Sequence, residues 1–142
     1  MGIFNSPLAI ADLNALAKNT IAEQIGIVFT LIADDRLEAT MPVDHRTHQP
    51  MGLLHGGASV TLAETLGSVA AMLCIDRSKQ FGVGLEINAN HIRGVTQGLV
   101  TGVAKPIHIG KKTQVWEIRI SNEAGELVCI SRITIAILDN KV

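Results

Sequence analysis

A stretch of twenty residues, from Gly56 to Ile75, constrains the fold of this chain more than any other feature. It reads GGASVTLAETLGSVAAMLCI, almost all apolar or small, and Glu64 is its only charged residue. Its length and pattern predict one long helix. Because such a helix is apolar nearly all round, we expect a sheet to wrap around it rather than leave it on the surface.

The segments before this run predict the first part of that sheet. An amphipathic helix is expected over residues 7–19, with Leu16 among the residues of its apolar face. Residues 25–43 are predicted to form two strands joined by a turn at Asp34–Asp35. Residues 44–54 are polar and contain Pro and Gly, so they are predicted to form a loop that leads into the long helix.

The segments after the long helix predict four more strands. These runs cover residues 81–93, 98–110, 112–122 and 127–138. The turns between them are short, at residues 94–98, 110–112 and 122–125, so the four strands are expected to pair in order as an antiparallel meander. Alternation over residues 114–120 indicates that one face of the sheet meets water. The sequence therefore predicts an α+β fold, a curved antiparallel sheet wrapped around one long central helix.

Composition limits the function classes. The 142 residues fit one domain, 1–142, and an apolar content of 47% with a net charge of −1 is typical of a folded globular protein. A near-neutral charge and an aromatic content of 3% argue against a nucleic-acid partner. The run after His55 is long enough to span a bilayer. It carries Glu64 and lacks flanking aromatic and basic anchors, so a buried helix without a membrane partner is preferred.

The cysteines and the N-terminus bear on the compartment. Cys74 and Cys129 form no Cys-x-x-Cys pair and both lie in apolar runs, so they are predicted to be reduced core thiols. No basic segment followed by an apolar one opens the sequence, so no secretory signal is predicted. These features favour a cytoplasmic protein.

Glu64 is the residue that most needs an explanation. On a helix it shares a thin polar stripe with Thr61, Thr65 and Ser68. Burying an unpaired carboxylate costs several kcal/mol unless it is paired or neutralised. Three interpretations are open: Glu64 pairs with a buried Arg or His, it binds a metal, or it is a catalytic base or nucleophile. The five histidines show no HxH or HExxH spacing, which disfavours the metal.

The loop before the helix favours the catalytic interpretation. Gln49 and the run His55-Gly56-Gly57 lead directly into the first helical turn, where backbone N–H groups are unpaired and the helix dipole is positive. Two glycines let a ligand approach that backbone closely. The Gly56 N–H, together with the His55 and Gln49 side chains, is therefore a candidate oxyanion site.

One distance separates the two halves of this candidate site. Glu64 lies eight residues beyond Gly56, roughly 12 Å along a helix that rises 1.5 Å per residue. One carbonyl cannot contact both within one subunit. A twofold axis can bring Gly56 of one helix beside Glu64 of the other, so we expect an obligate dimer with two composite sites.

Three segments resemble the hotdog-fold acyl-CoA thioesterases of the PaaI-like branch. They are ATMPVDHRTHQPMGLLHGGASVTLAETLGSVA, GLEINANHIR and KPIHIGKKTQVWEI. Within the branch, the resemblance is strongest to bacterial enzymes that hydrolyse 1,4-dihydroxy-2-naphthoyl-CoA for menaquinone synthesis and to proofreading thioesterases of the enterobactin pathway. The resemblance implies hydrolysis of acyl-CoA thioesters, with aromatic acyl groups such as hydroxybenzoyl among the substrates and broad tolerance of others.

The resemblance also implies roles for individual residues. Glu64 matches the catalytic carboxylate, as general base or nucleophile. The Gly56 N–H and Gln49 match the groups that polarise the thioester carbonyl, with His55 orienting the substrate. Ser68 matches a hydroxyl that positions water or the acyl group.

Coenzyme A would enter as part of the substrate, with no further cofactor and no metal. The residues that the resemblance places near it are His91, Arg93, His108, Gly110, Lys111 and Lys112. The family's assembly implies a homotetramer, a dimer of dimers. Two alternatives stay open: hydrolysis of acyl groups on carrier-protein pantetheine, and a non-catalytic module that binds acyl-CoA.

Overall fold

The computed structural model describes residues 2–141, which form three helices and six strands. The helices are α1 (Ile10–Leu16), α2 (Ile21–Gln24) and α3 (Gly56–Leu73). The strands are β1 (Val28–Ile32), β2 (Leu37–Pro42), β3 (Gln80–His91), β4 (Leu99–Ile109), β5 (Thr113–Ser121) and β6 (Leu127–Asp139). Within residues 2–141, no helix is both long enough and apolar enough to cross a membrane.

All six strands form one curved antiparallel sheet in the order β1-β2-β4-β5-β6-β3, and α3 packs against β2 through β6. This confirms the predicted α+β architecture. Alternation in β5 explains the packing, because Trp116, Ile118 and Ile120 are fully buried against the core while Arg119 is exposed.

The predicted four-stranded meander is wrong at its first step. β3 pairs with β6, and β4 pairs with β2, so β3 and β4 are not neighbours. The segment between them is a crossover held to other loops: the Leu54 N–H donates to the Val95 carbonyl at 2.7 Å, and the Val43 N–H to the Gly98 carbonyl at 2.8 Å. These bonds carry the chain past the start of α3 instead of reversing it into a hairpin.

The sheet covers only one side of α3. Its fully buried residues include Leu62, Leu66 and Ala70, which lie on one face at helical spacing, while Glu64 is exposed. The sheet therefore wraps around this face of α3, as expected, and leaves the opposite face open in a single chain. The polar stripe around Glu64 remains on the open side.

A β-bulge in β3 decides which of its side chains face α3. Gly84 pairs with Ile135 and Glu86 with Thr134, so Leu85 has no partner across the ladder. An extra residue of this kind reverses the inside-outside alternation beyond it. Gly84 before the bulge and His91 after it therefore both face the helix, although they are seven positions apart in the sequence.

The N-terminal segment closes the other end of α3. The backbone N–H groups of Asn5 and Ser6 donate to the Leu73 carbonyl at 2.9 and 3.2 Å, which satisfies a carbonyl that the helix end leaves unpaired. Phe4 stacks on Trp116 with ring centroids 6.2 Å apart and planes inclined by 5°. This segment therefore anchors the helix to the core.

The predicted first helix is shorter than expected and its buried face differs. Leu16, predicted to be on the apolar face, is 54% exposed, whereas Leu13 is buried. The Asn14 side chain bonds both the N–H and the carbonyl of Phe29, which fixes the orientation of α1 on β1.

Candidate active site

His55 forms the N-cap of α3. Its Nδ1 accepts a hydrogen bond from the Gly57 N–H at 2.7 Å, and its carbonyl accepts from the N–H groups of Ala58 and Ser59. Because Nδ1 is an acceptor, the neutral ring carries its proton on Nε2. The Gly56 N–H makes no hydrogen bond within residues 2–141, so the first turn of the helix leaves one donor for a ligand.

Gln49 begins a tight turn in the loop that leads to α3. Its N–H donates to the Leu53 carbonyl at 2.8 Å, and Gly52 closes the turn with a φ of 77°. The Gln49 Oε1 accepts from the Met51 N–H. With its oxygen bound in the turn, the side chain presents its amide NH₂ as a donor.

Gln49 and Gly56 line one cavity of about 290 Å³, which we call the Gly56 cavity. His91 lies directly over Gly56: a Cβ on Gly56 would be 2.8 Å from the His91 Nε2. Arg93 also lines the cavity, with its Nη2 3.1 Å from the Glu126 Oε2. The structure thus brings four of the predicted site residues together at one cavity. They are Gln49, Gly56, His91 and Arg93, and Arg93 is the cation among them.

Glu64 lies outside this cavity on the open side of α3. It is exposed, and a Cβ on Gly84 of β3 would be 3.0 Å from the Glu64 Oε1. The expected burial of Glu64 is therefore wrong for the single chain, because the sheet does not reach this side. No Arg, His or Lys of residues 2–141 pairs with it, so its carboxylate is available. Ser68, one turn further along α3, is half-buried.

The described residues contain no group of three His, Cys, Asp or Glu side chains that could hold a metal ion. The two cysteines form no disulfide: Cys129 is buried and Cys74 partly so. Burial raises the pKa of both thiols, that of Cys74 to about 11. Neither thiol has the lowered pKa that a nucleophilic cysteine needs.

The second predicted group of coenzyme A contacts lies at the opposite end of α3. His108 packs against Gly110 in the β4–β5 turn, where a Cβ on Gly110 would be 2.5 Å from the His108 Nε2. Gly110 and Lys111 line a cavity with Cys74, just beyond the end of the helix, and Lys112 follows in the same turn. One chain therefore does not bring this turn together with His91 and Arg93.

Sequence reasoning missed Ser59 and a second cavity at the start of α3. Ser59 is buried and lines the Gly56 cavity. Its position three residues after Gly56 places it on the same helix face, which is a signal that the sequence carries. The second cavity lies between α2 and α3 and is lined in part by His55, Gly57 and Arg46. Its walls come from distant segments, so no local pattern indicates it.

The Thioesterase superfamily profile matches residues 51–129. The 1,4-dihydroxy-2-naphthoyl-CoA hydrolase of Escherichia coli K12 is 54% identical over 136 residues, 96% of this chain and 99% of that protein. The proofreading thioesterase EntH of Cronobacter sakazakii is 54% identical over 136 residues, 96% of this chain and 98% of that protein. A crystal structure of a Q49A mutant thioesterase from Pseudomonas aeruginosa has a TM-score of 0.96 and 50% identity, covering 98% of this chain and 100% of that one. With this fold and these relatives, the chain belongs to the thioesterase superfamily, has its hotdog fold and is a thioester hydrolase.

Proposed function

We propose that this enzyme hydrolyses acyl-CoA thioesters, preferentially those with aromatic acyl groups, at sites shared between two subunits. The observation that carries the proposal is that Gly56, whose N–H is unpaired within residues 2–141, lines one cavity together with Gln49. Two donors at one cavity, the Gly56 N–H and the Gln49 NH₂, suit the oxygen of a thioester carbonyl. The aromatic preference is supported by the 54% identity to a hydrolase of 1,4-dihydroxy-2-naphthoyl-CoA.

A second copy of the chain supplies the missing carboxylate. β3 is an edge strand, paired only with β6, and it exposes Phe81, Val83 and Leu85, the last to 62%. An open edge with apolar side chains favours pairing with another strand. Glu64 lies beside Gly84 of the same strand, so a twofold partner bound at this edge adjoins the catalytic carboxylate.

The reaction then follows from these positions. The carbonyl oxygen lies between the Gly56 N–H and the Gln49 NH₂, and His55 holds the helix turn that carries the Gly56 N–H through its bond to the Gly57 N–H. Glu64 of the second subunit takes a proton from water as the water oxygen bonds to the carbonyl carbon. The negative charge on the carbonyl oxygen is stabilised by the two donors. Collapse re-forms the carbonyl and breaks the carbon–sulfur bond, and the thiolate leaves with the proton that Glu64 had taken.

Glu64 can instead attack the carbonyl carbon directly, which breaks the carbon–sulfur bond, releases the thiolate and forms an anhydride that water hydrolyses in a second step. A single turnover in ¹⁸O-water distinguishes the two routes. General-base catalysis places ¹⁸O in the acid product of the first turnover. Direct attack, followed by water adding at the Glu64 carbonyl, leaves ¹⁸O in the protein and not in that first product.

The coenzyme is held by cations from both ends of the helix. Arg93 lies beside His91 in the Gly56 cavity, and Lys111 and Lys112 supply further positive charge in the turn that also contains His108 and Gly110. Phosphates favour such clusters. Because the two groups lie at opposite ends of α3, we propose that each coenzyme A contacts one group from each subunit of an antiparallel pair.

The test is release of free thiol from a panel of aryl- and fatty-acyl-CoA thioesters. The Glu64→Ala variant should lose more activity than the factor of about 10²–10³ typical for removal of one oxyanion donor. Glu117→Ala is a matched control, since Glu117 lies on the outer side of β5 and pairs with Arg119 at 2.8 Å. Near-normal kcat for Glu64→Ala at saturating substrate, or saturable binding without thiol release, would contradict the proposal.

The carrier of the acyl group is a separate question. The hydrolase and the proofreading thioesterase named above are equally similar to this chain, at 54% identity each. We propose free coenzyme A as the carrier, because the cations described above suit its additional phosphates. Comparing kcat/KM for one acyl group on coenzyme A and on a carrier protein decides this, and a higher value for the carrier protein contradicts it.

We further propose a cytoplasmic homotetramer, formed as a dimer of dimers. The two unpaired thiols suit a reducing compartment. Native mass spectrometry measures the assembly, and a monomer at working concentration would contradict the shared site.

A further inference from the structure

Ser59 differs from the other buried polar side chains of the chain. Within residues 2–141 these side chains belong to Thr47, Ser59, Gln114 and Ser131. All of them except Ser59 form a side-chain hydrogen bond to the protein, at 2.7 to 2.9 Å. Ser59 is 1% exposed, and its hydroxyl has no hydrogen-bond partner in the part of the chain that the structure describes. Thr61 in the same helix shows the usual alternative, because its hydroxyl donates to the Gly57 carbonyl at 2.9 Å.

The Ser59 hydroxyl opens into the Gly56 cavity. Among the described residues, no side-chain nitrogen or oxygen is both closed off from solvent and without a hydrogen bond. The unpaired hydroxyl therefore reaches solvent, and Ser59 lines the Gly56 cavity. Side chains on a helix lean toward its N-terminus, so this hydroxyl leans toward the turn that begins at Gly56. A buried hydroxyl that faces a cavity without a partner calls for a polar group of the ligand.

The thioester carbonyl does not need this hydroxyl. In the proposed mechanism its oxygen accepts from the Gly56 N–H and the Gln49 NH₂, which occupy both of its lone pairs. The next polar group on the thiol side of the substrate is the amide of the cysteamine unit, two methylene groups beyond the sulfur. We propose that the Ser59 hydroxyl binds this amide and thereby selects thioesters of pantetheine over simple alkyl thioesters. A hydroxyl suits an amide, because it can donate to the carbonyl or accept from the N–H.

The other walls of the Gly56 cavity suit the same part of the substrate. Leu53, Leu54 and Val128 are apolar and suit the methylene groups between the sulfur and the amide. Arg93 lines the cavity as well and suits the phosphates further along the arm. Ser59 lies three residues after Gly56, roughly 4.5 Å along the helix axis, which is comparable to the length of a two-carbon spacer.

This inference rests on the proposed thioester hydrolysis, and the experiment separates the two. The substrates are benzoyl-CoA, the benzoyl thioester of N-acetylcysteamine and the benzoyl thioester of pentanethiol, which has the same chain length with methylenes in place of the amide. Ser59→Ala should lower kcat/KM about tenfold for the two thioesters that carry the amide and less than about twofold for the pentyl thioester. Where a short thioester reacts too slowly, its inhibition constant against benzoyl-CoA gives the same comparison.

Ser131→Ala is the matched control. Ser131 is a buried serine like Ser59, at 2% exposure, but its hydroxyl donates to the Asn88 carbonyl and does not line the Gly56 cavity. Its loss lowers stability without removing a contact to the substrate. The ratio of kcat/KM for the acetylcysteamine thioester to that for the pentyl thioester should therefore stay at the wild-type value in Ser131→Ala and fall in Ser59→Ala.

The outcomes distinguish failure of the amide contact from failure of the proposed function. A wild-type enzyme that hydrolyses no acyl-CoA contradicts the proposed function. An active wild type overturns only the role of Ser59 if Ser59→Ala leaves benzoyl-CoA hydrolysis unchanged, or lowers the values for the amide and pentyl thioesters by the same factor.

Discussion

The separation of Gly56 and Glu64 along α3 permits a decisive test by mixing subunits. The two residues lie eight positions apart on one helix, roughly 12 Å along its axis. A water molecule attacking a carbonyl must come within about 3 Å of its carbon. A thioester bound at Gly56 is therefore out of reach of Glu64 on the same helix, and in the proposed mechanism each site takes Glu64 from the other subunit.

The perturbation is a pair of inactive variants, Glu64→Ala and Gln49→Ala. In a dimer that contains one subunit of each, one site carries both lesions and the other carries neither. Random exchange makes half of the dimers mixed, so the mixture should reach about a quarter of the wild-type rate. The Gln49→Ala parent should retain a fraction of about 10⁻² to 10⁻³ of that rate, and the Glu64→Ala parent still less.

The assay is thiol release after co-expression, with a different affinity tag on each variant and purification of the mixed dimer. The species that carries both tags should show between about a quarter and a half of the wild-type rate, because each mixed dimer in it has one intact site of two. A control pairs Glu64→Ala with the double variant Gln49→Ala/Glu64→Ala, in which no intact site can form. Activity equal to the mean of the two parents would refute the shared site and place both groups in one chain.

Three further predictions concern stability and thiol chemistry. Phe4→Leu removes the stack on Trp116 and should lower the free energy of unfolding in urea by about 1 kcal/mol. Gly67→Ala places a Cβ 2.5 Å from the Ile133 Cγ2. This overpacking outweighs the gain in helix propensity, so calorimetry should show a net loss of about 1 kcal/mol. Since the pKa of Cys74 is raised to about 11, its alkylation rate should keep rising up to that pH.

The features that the sequence predicts correctly have local causes. The helix that begins at Gly56 follows from an apolar run of helical length, and its entry loop follows from Pro50 and Gly52. The alternation in β5 appears directly as buried Trp116 and Ile118. Each pattern depends on residues that are close together in the sequence, so the sequence alone is enough to predict it.

The strand order has no such local cause. The turn at residues 94–98 is as short as a hairpin loop, yet it crosses between strands that do not pair. Its path depends on hydrogen bonds from Leu54 and Val43, which lie about forty and fifty-five residues earlier in the chain. The length of the segment does not distinguish a hairpin from a crossover. The hydrogen bonds that favour the crossover come from distant segments of the chain.

The bulge at Leu85 is a second feature that the sequence does not predict, in this case within one strand. A strict period of two from Gly84 would place His91 on the opposite face, away from Gly56. The extra residue reverses that alternation and brings His91 over the helix start. Nothing in the run from Gly84 to His91 marks the bulge, so this contact with the candidate site becomes visible only in the folded chain.

The exposure of Glu64 has the same origin as the open edge of β3. Counting apolar residues predicts a helix that is covered on every side, and the chain's own sheet covers only one. The sequence therefore has more apolar residues than one subunit buries, both on α3 and at Val83 and Leu85 of β3. Because Glu64 and this edge adjoin each other at Gly84, one partner molecule bound as proposed would cover both surfaces. On the proposed assembly, the apolar pattern around the carboxylate reflects burial in the dimer, and the rate of the mixed subunits tests whether that dimer forms the site.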